Sequence, residues 1–220
     1  LHPVAHSFPT RRSSDLVKEN GATPLVVYRD REPLGIISVA DPIRPGAQHT
    51  VSDLHRLKVR RTGILSGDHK KSVRLVAEAV GVTDQWAELL PADKLRIIRE
   101  IQADGSRVIF VGDGINDAPA LAASDVGIAM GAKGTEVALE TADIALMNDD
   151  IAKLPFLIRL SRRMVTTIKW NIAFGLAFNL VSVLASGSGF LSPILGAVVH
   201  NVGSVIVVIS SATIGFAREP

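Results

Sequence analysis

Apolar positions from Val17 to Met147 alternate between short continuous runs and helical spacings. Short runs bounded by turn residues predict strands, and apolar residues three and four apart predict helices. Strands are predicted in PLVVYRD, PLGIISVAD, RTGILSGD, RVIFVGDG, VGIAMG and IALM. Helices are predicted in PGAQHTVSDLHRLKV, HKKSVRLVAEAVGV, PADKLRIIREIQADG and GTEVALETAD, and a loop with a short helix in NDAPALAASD. This alternation predicts an α/β fold in which helices cover a parallel sheet on both sides.

The predicted helices carry apolar faces, and two of them have a clear end. Gly81 and Gly105 follow the second and third helices, and glycine readily adopts the left-handed conformation found after a helix. The positions expected to face the core are Val51, Leu54, Leu57, Val73, Val76, Ala77, Val80, Leu95, Ile98 and Ile101. In a sheet of this kind, chemistry is expected at the carboxyl ends of the strands.

The pattern changes after residue 150. Residues 151–169 are amphipathic and basic, and predict a linker helix. Residues 170–216 contain two uncharged segments separated by GSG. A membrane span needs about 20 residues. The second segment is long enough, and so is the first if it is extended back to about Thr166. The basic residues beside them are Arg159, Arg162, Arg163, Lys169 and Arg218.

These flanking charges predict the orientation of a two-helix transmembrane hairpin. Basic residues favour the cytoplasmic side of a membrane, so both ends of the hairpin are expected there. The expected location is therefore the cell membrane (plasma or inner), with a cytoplasmic soluble domain. The alternative is a pair of buried helices in a soluble core.

The composition supports a division into a polar part and an apolar part. The chain has 220 residues, a formal net charge of +2 and no cysteine. Its mean hydropathy is +0.28 although 21% of its residues are charged. The lack of cysteine excludes disulfides and thiolate metal sites within this sequence. The small net charge argues against a dedicated nucleic-acid-binding protein.

Residues 1–16 do not fit the pattern of the rest of the chain. The string SFPTRRSSDL, at residues 7–16, has neither a hydrophobic period nor a capping pattern. It matches the translation of TCTTTCCCTACACGACGCTCTTCCGATCT, a common sequencing adapter. We interpret it as adapter-derived and exclude it from the fold prediction. A polar loop is the alternative interpretation.

The string VGDGIND follows a predicted strand and has the composition of a phosphate-handling loop. Asp113 and Asp117 could converge on one Mg²⁺ ion, which prefers oxygen ligands. Gly112 and Gly114 allow sharp turns and a close approach of the backbone to a ligand. Asn116 offers an amide donor to a phosphoryl oxygen. A simple turn is the alternative, but it does not require this full set of residues.

Two further segments suit the same chemistry. Ser66 and Gly67, in LSGD after another predicted strand, offer a hydroxyl and a backbone N–H to a phosphoryl oxygen. Lys94, near a predicted helix start, could neutralise charge on a transferring phosphoryl group. Taken alone, the first could be an ordinary turn and the second a surface lysine. Their order in the chain, followed by the two aspartates, favours a shared site.

These residues resemble a known family. SGD, Lys94 and GDGINDAPAL resemble the second, third and fourth motifs of the haloacid-dehalogenase-type phosphotransferase core. GDGINDAPALAASDVGIAMGAKGTEVALETADIALM is similar to the phosphorylation domain of P-type ATPases, particularly the heavy-metal-transporting subclass. The resemblance implies a haloacid-dehalogenase-like, Rossmann-like domain in residues 17–150, with Mg²⁺ and ATP as cofactors. GIISVADPIRPGA resembles the DxxR segment of that domain. LHPVA resembles the His-Pro motif of the subclass's nucleotide-binding domain, which makes residues 1–16 a remnant of that domain plus adapter.

The resemblance also implies a role for each matching residue. The catalytic set around an aspartyl phosphate would be Ser66, Gly67, Asp68, Lys94, Asn116 and Asp117. The nucleotide- and phosphate-binding set would be Asp41, Arg44, Gly112, Gly114 and, near the adenine, His2. The Mg²⁺ ligands would be Asp113 and Asp117. The family usually has threonine where Ser66 stands, so the hydroxyl is retained.

Other parts of the family's pattern are missing from the sequence. It contains neither the DKTGT string that holds the family's nucleophile nor the TGE loop that directs dephosphorylation. We therefore expect an inactive C-terminal part of an ATP-driven metal pump, whose partners include the missing amino-terminal membrane helices. The alternatives are a membrane-anchored phosphatase of the same fold and a catalytically dead membrane protein.

Polar residues in the two uncharged segments are candidates for binding the transported ion, because polar groups are costly inside a membrane. The candidates are Asn179, His200 and Asn201. Histidine and asparagine suit a borderline divalent ion, whereas Cu(I) prefers cysteine or methionine. The resemblance to a His-Asn variant of heavy-metal pumps implies zinc or manganese as cargo. For His200, the alternative is a hydrogen bond between helices.

Overall fold

The structure is a computed structural model that describes residues 14, 15, 17, 22–39, 42–112, 116–131, 140–148 and 150–216. The chain divides into two compact units, Leu1–Lys153 and Leu154–Pro220. Most of the segment interpreted as adapter-derived lies outside the described residues.

The first unit begins with an antiparallel hairpin of β1 (Thr23–Arg29) and β2 (Glu32–Val39). Both strands were predicted, but they pair with each other and not with the parallel strands. The reason is the connection, since a two-residue turn can join only antiparallel strands. Asp30 and Arg31 have φ values of 49° and 71°. Positive φ at both central residues gives the turn a twist that matches the strands.

The remaining strands of the first unit are parallel. β3 (Gly63–Leu65) pairs with β4 (Asp84–Trp86). The other three, β5 (Ile109–Gly112), β6 (Val126–Met130) and β7 (Ile144–Leu146), pair in that order. The predicted strand–helix alternation is therefore confirmed. β4 was not predicted, because DQW is short and lacks an apolar run.

Helices connect these strands. They are α1 (Ala47–Arg56), α2 (Lys70–Val80), α3 (Pro91–Ala103) and α4 (Ala118–Ala123). Gly81 and Gly105 follow α2 and α3 with φ values of 78° and 80°, as their predicted role as helix ends requires. Most of the helix predicted in GTEVALETAD lies outside the described residues, although Glu140 and Thr141 are helical.

A small core joins α3, α4 and β5. Ile98, Phe110, Ala120 and Leu121 are all buried and pack together, with Leu65 at its edge. Of the positions predicted to face the core, Val51, Val73, Ala77, Val80 and Ile98 are buried and the others are half-buried. The buried Ile97 was not among them. This core fixes the ends of β3 and β5 relative to the start of α4.

The second unit consists of α5 (Lys153–Gly187), α6 (Pro193–Ala212) and a 3₁₀ turn (Thr213–Phe216). α5 runs without a break through the predicted boundary between linker and first span. Both long helices are long and apolar enough to cross a membrane. Almost none of their apolar length is buried. That exposure is not what two buried helices of a soluble core would have.

α5 and α6 pack as an antiparallel pair. Near the distant ends of the pair, Asn171 Nδ2 donates a hydrogen bond to Ser211 Oγ over 2.9 Å. Closer to the turn, the ring of Phe178 lies against Gly203, where a Cβ atom would be only 2.5 Å from Phe178 Cε1. Glycine at this position therefore leaves room for the Phe178 ring of the other helix.

Candidate functional site

The loop after β3 is tied to the segment that leads into α3. Ser66 N donates to Trp86 O over 3.0 Å, which extends the parallel pairing beyond β3. Leu89 N donates to Ser66 O over 3.1 Å. Ser66 Oγ donates to Asp68 Oδ2 over 2.8 Å and accepts from Asp68 N over 3.1 Å. The Ser66 loop is thus held closed and fixed next to the start of α3.

The start of α3 places Lys94 in the first helical turn. Pro91 begins the helix, where its missing N–H has no intrahelical partner to lose. Asp93 Oδ2 accepts from Leu90 N over 3.0 Å and closes the end of the helix. The side chain of Lys94 therefore projects from a fixed first turn, next to the Ser66 loop to which the preceding segment is hydrogen-bonded.

Lys94 forms an ion pair with Asp117, at the residue preceding α4. Lys94 Nζ donates to Asp117 Oδ1 over 2.6 Å. The two side chains are only 14% and 13% exposed. A charge withdrawn from water to this degree needs a partner, and removal of one member leaves the other uncompensated. The structure thus brings together two of the residues that the sequence proposed for a single site.

Gly112, the last residue of β5, leaves no room for a side chain beside this pair. A Cβ atom there would lie 2.8 Å from Asp117 Oδ2, 2.9 Å from Asp117 Cβ and 3.0 Å from Phe110 Cε1. At Gly67, a Cβ atom would lie 3.3 Å from Leu89 O. The sequence predicted a close approach of the Gly112 backbone to a ligand, and that stays a prediction; the close neighbour in the structure is the Asp117 carboxylate.

The structure describes some of the predicted site residues and not others. His2, Asp41, Asp113 and Gly114 lie outside the described residues. Arg44 and Asn116 are described, and both are exposed. Their proposed roles, and those of Ser66, Gly67, Asp68, Lys94 and Asp117, stay predictions.

The donor set fits a magnesium ion. Asp113 and Asp117 supply only oxygen donors, which Mg²⁺ prefers over nitrogen or sulfur. The glycine at position 112 keeps open the space next to Asp117 Oδ2 that a Cβ atom would fill. Lys94 occupies only Oδ1 of this carboxylate among the described contacts. Asp117 can therefore keep an oxygen for a cation while it is paired with Lys94.

Another carboxylate, Asp125, lies at the amino-terminal end of β5, away from the Lys94–Asp117 pair, and was missed by the sequence reasoning. It accepts from Val108 N over 2.9 Å, Gln102 Nε2 over 3.0 Å and Arg107 Nη1 over 2.6 Å. The hydrogen bond from Val108 N is the main cause that holds the pKa of Asp125 far below its usual range, followed by those from Arg107 and Gln102. Asp125 thereby joins α3 to the start of β5. An aspartate directly before an apolar strand was the available signal.

Arg61 and Asp84 form a similar clasp between β3 and β4. The guanidinium donates to both carboxylate oxygens, with Nε–Oδ2 and Nη2–Oδ1 distances of 3.0 Å and 3.1 Å. The hydrogen bond from Arg61 is the main cause that lowers the pKa of Asp84. Thr62 N also donates to Thr83 Oγ1 over 2.9 Å. These contacts hold the short, polar β4 in register.

In the second unit, two of the three predicted ion-binding residues meet. His200 Nδ1 lies 3.2 Å from Asn179 Oδ1. Asn201 instead donates from Nδ2 to Ala197 O of its own helix over 3.0 Å. Among the residues that the structure describes, no group of three or more His, Asp or Glu side chains is placed to hold a metal. The His200–Asn179 contact is a hydrogen bond between helices, which was the alternative for His200.

This fold agrees with comparisons to known proteins. The family model for the haloacid dehalogenase-like hydrolases matches residues 10–125. The chain therefore belongs to the haloacid dehalogenase-like hydrolase family. The resemblance found in the SGD, Lys94 and GDGIND segments is confirmed at this level.

Within that family, the chain is similar to metal-transporting P-type ATPases. It is 44% identical over 198 residues to the manganese-exporting P-type ATPase of Mycobacterium tuberculosis, covering 90% of this chain and 28% of that protein. It is 44% identical over 196 residues to the zinc-exporting P-type ATPase of Mycobacterium marinum, covering 89% and 27%. The chain thus spans less than a third of the length of these relatives.

A solved structure extends the likeness to both units. A zinc-transporting PIB-type ATPase in the E2·Pi state matches with a TM-score of 0.79 and 31% identity. The match covers 93% of this chain and 33% of that structure. The relatives are hydrolases coupled to ion transport, as the sequence predicted for the parent protein.

Proposed function

We propose that this chain is the carboxyl-terminal part of an ATP-driven heavy-metal pump that works through an aspartyl phosphate. The observation that carries the proposal is the shielded Lys94–Asp117 pair at the strand edge, 2.6 Å apart. An ordinary surface lysine is not withdrawn from water against a carboxylate in this way. Similarity to metal-exporting P-type ATPases over 90% of the chain supports the same assignment.

In the proposed site, each residue has a distinct task. The Lys94 ammonium neutralises charge on the phosphoryl group, a form of electrostatic stabilisation that is strong where water is excluded. The Ser66 hydroxyl and the Gly67 N–H hold phosphoryl oxygens. Asp113 and Asp117 would hold Mg²⁺, which supplies positive charge to the same oxygens. Asn116 orders the loop around the phosphoryl group, and Asp41 and Arg44 shape the nucleotide side of the site.

The proposed mechanism requires a nucleophile that residues 1–220 do not supply. An aspartyl phosphate needs an activated carboxylate, and the sequence contains no DKTGT string. We therefore propose that the chain as printed is inactive by itself. The proposed binding site for ATP is the nucleotide-binding domain whose His-Pro motif resembles the segment around His2.

The second unit is proposed to form the last two membrane helices, with both ends on the cytoplasmic side. The basic residues in the amino-terminal turns of α5, and Arg218 at the other end of the pair in sequence, support that orientation. A divalent ion such as zinc or manganese is the proposed cargo. Asn179 and His200 are its proposed ligands from this chain, with Asn201 on the adjacent position.

A chimera tests the function directly. Residues 17–216 replace the matching segment of the M. tuberculosis manganese-exporting ATPase, which supplies the nucleophile and the other membrane helices. We expect acid-stable phosphorylation by ATP and metal-stimulated hydrolysis. Lys94→Ala should abolish both, while Lys71→Ala, an exposed lysine on α2, should leave both intact. A chimera that inserts in the membrane but is not phosphorylated would contradict the proposal.

The same chimera also tests which ion is transported. We expect His200→Ala to change the order in which Mn²⁺ and Zn²⁺ stimulate hydrolysis, because it removes a nitrogen ligand. Ser204→Ala, one turn further along α6, is the matched control. An unchanged order for His200→Ala would remove His200 from the ion path but leave the phosphoryl site untouched.

A further inference from the structure

α5 carries a basic face on the turns that precede its uncharged part. At about 100° per residue, five of its side chains fall within about 120° of the helix circumference. They are Arg159, Arg162, Arg163, Lys169 and Trp170. All five are exposed, and the Trp170 side chain is 72% exposed. We call this set the basic face.

The sequence of α5 offers no acidic residue to balance the charge of Arg159, Arg163 and Lys169. The sequence has no aspartate or glutamate between Ile151 and Phe216. In the part of the chain that the structure describes, Arg159, Arg163 and Lys169 make no ion pair. Like charges on adjacent turns repel one another, so a negatively charged partner would stabilise this segment.

The spacing of the basic face suits the surface of a bilayer. From Trp170 to Gly187, α5 rises about 27 Å at about 1.5 Å per residue, close to the ~30 Å of bilayer hydrocarbon. Tryptophan is favoured where hydrocarbon meets headgroups. Lys169 then lies in the headgroup layer, which is about 5–7 Å thick. Arg163 and Arg162 lie about 10–12 Å above Trp170, and Arg159 about 16 Å, so that all three are within about 10 Å of the layer, roughly one screening length.

We propose that the basic face binds the phosphate groups of anionic phospholipids in the leaflet that meets the amino-terminal part of α5. This inference rests on the proposed membrane-spanning role of α5. Guanidinium groups bind phosphate in a bidentate manner, and three of the four cations are arginines. Each basic residue close to an anionic leaflet strengthens the association about fivefold. Anionic lipid is thereby a specific partner of the protein, beyond the bilayer as a solvent.

Lipid selectivity of the full chain tests this inference. The chain is reconstituted in vesicles of equal parts phosphatidylcholine and phosphatidylglycerol. Electron spin resonance then compares spin-labelled phosphatidylglycerol with spin-labelled phosphatidylcholine at the protein boundary. We expect selectivity for phosphatidylglycerol that weakens as KCl is raised. The Arg159→Gln/Arg162→Gln/Arg163→Gln variant should lose it at least about fivefold.

The control variant removes the same charge elsewhere. Arg60→Gln/Lys71→Gln/Arg99→Gln neutralises three exposed residues of the first unit and should keep the selectivity. Equal selectivity in the wild-type chain and the α5 variant would overturn the inference.

Flotation separates this inference from the proposed function. The wild-type chain and the α5 variant are both floated with phosphatidylcholine vesicles after an alkaline wash. Firm insertion with no lipid selectivity would overturn only the lipid inference. Failure of both proteins to insert would overturn the membrane-spanning role, and the lipid inference with it.

Discussion

At the residue scale, Gly112 gives the sharpest prediction for the strand-edge site. Gly112→Ala places a Cβ atom 2.8 Å from Asp117 Oδ2 and 2.9 Å from Asp117 Cβ. Relief of that overlap requires movement of the carboxylate away from Lys94 or a shift of β5. We expect the free energy of unfolding of the first unit to fall by about 1–3 kcal/mol. Denaturation followed through Trp86 fluorescence, in a Trp170→Phe background, measures it.

The matched control for this substitution is Gly35→Ala in β2. Nothing lies within 4 Å of a Cβ atom at that position, so the stability should change little. In the chimeric pump, Gly112→Ala should also lose phosphorylation by ATP, and Gly35→Ala should not. Full phosphorylation of Gly112→Ala would show that the close contact at Asp117 has no part in the site.

The lowered pKa of Asp125 predicts how the stability of the first unit depends on pH. Its pKa is lowered in the folded protein, so its contribution to stability is complete above the unfolded pKa of about 3.9 and is lost as pH falls through the lower folded value. Asp125→Asn should therefore lower the melting temperature of the first unit at neutral pH. The difference from wild type should shrink as pH falls below about 4.

Thermal unfolding across this pH range checks the Asp125 prediction. Asp104→Asn, at the exposed end of α3, serves as the control and should shift the melting temperature little at any pH. If the difference in melting temperature between Asp125→Asn and wild type stayed constant from neutral to acid pH, the lowered pKa of Asp125 would not contribute to stability. The effect would then come from hydrogen-bond geometry alone.

At the scale of elements, the packing of α5 against α6 can be tested by cross-linking, since the chain has no cysteine of its own. A Cβ atom at Gly196 would lie 3.6 Å from Ser186 Oγ. Side chains at these two positions therefore meet across the helix pair, close to the separation that a disulfide requires. We expect Ser186→Cys/Gly196→Cys to form an intramolecular disulfide on mild oxidation in membranes, detected by a mobility shift on a non-reducing gel.

Two further variants make the cross-linking result specific. Leu180→Cys/Val208→Cys pairs two exposed residues that are about two turns out of register, and should not cross-link. Adding Gly203→Leu to the Ser186/Gly196 cysteine pair should reduce its cross-linking, because a side chain at 203 overlaps Phe178. Equal cross-linking of all three would mean that the helices do not hold the described register.

The elements also show which parts of the fold the sequence could predict. α2 and α3 were predictable because apolar spacing and a following glycine mark both face and end. β4 was not predictable, because it is only three residues long. It is held in place by the non-local contacts Arg61–Asp84 and Thr62–Thr83, beside β3. The continuity of α5 was also not predicted. Its composition changes at residue 170, but backbone hydrogen bonding does not depend on that change.

At the scale of the whole molecule, the sequence reached the family and the fold class, because the GDGIND and SGD strings carry both. It proposed Lys94 and Asp117 for one site from their order in the chain and from that resemblance, and the structure brings them together. It did not find Asp125, whose three donors come from α3, the following turn and the start of β5. These hydrogen bonds depend on packing between segments that are distant in the sequence. The local pattern of apolar and polar residues does not reveal that packing. The Asn179–His200 contact between helices was likewise only an alternative.

The missing nucleophile leads to a final prediction for the molecule as a whole. The purified 220-residue chain, given ATP labelled at the γ-phosphate and Mg²⁺, should take up no acid-stable label, because no DKTGT aspartate is present to attack. The labelled chimera, with the same residues 17–216, is the positive control. Stable labelling of the chain itself would mean that another carboxylate acts as nucleophile. Asp68→Asn and Asp117→Asn would then identify which loop carries it, and the phosphatase alternative would replace the pump.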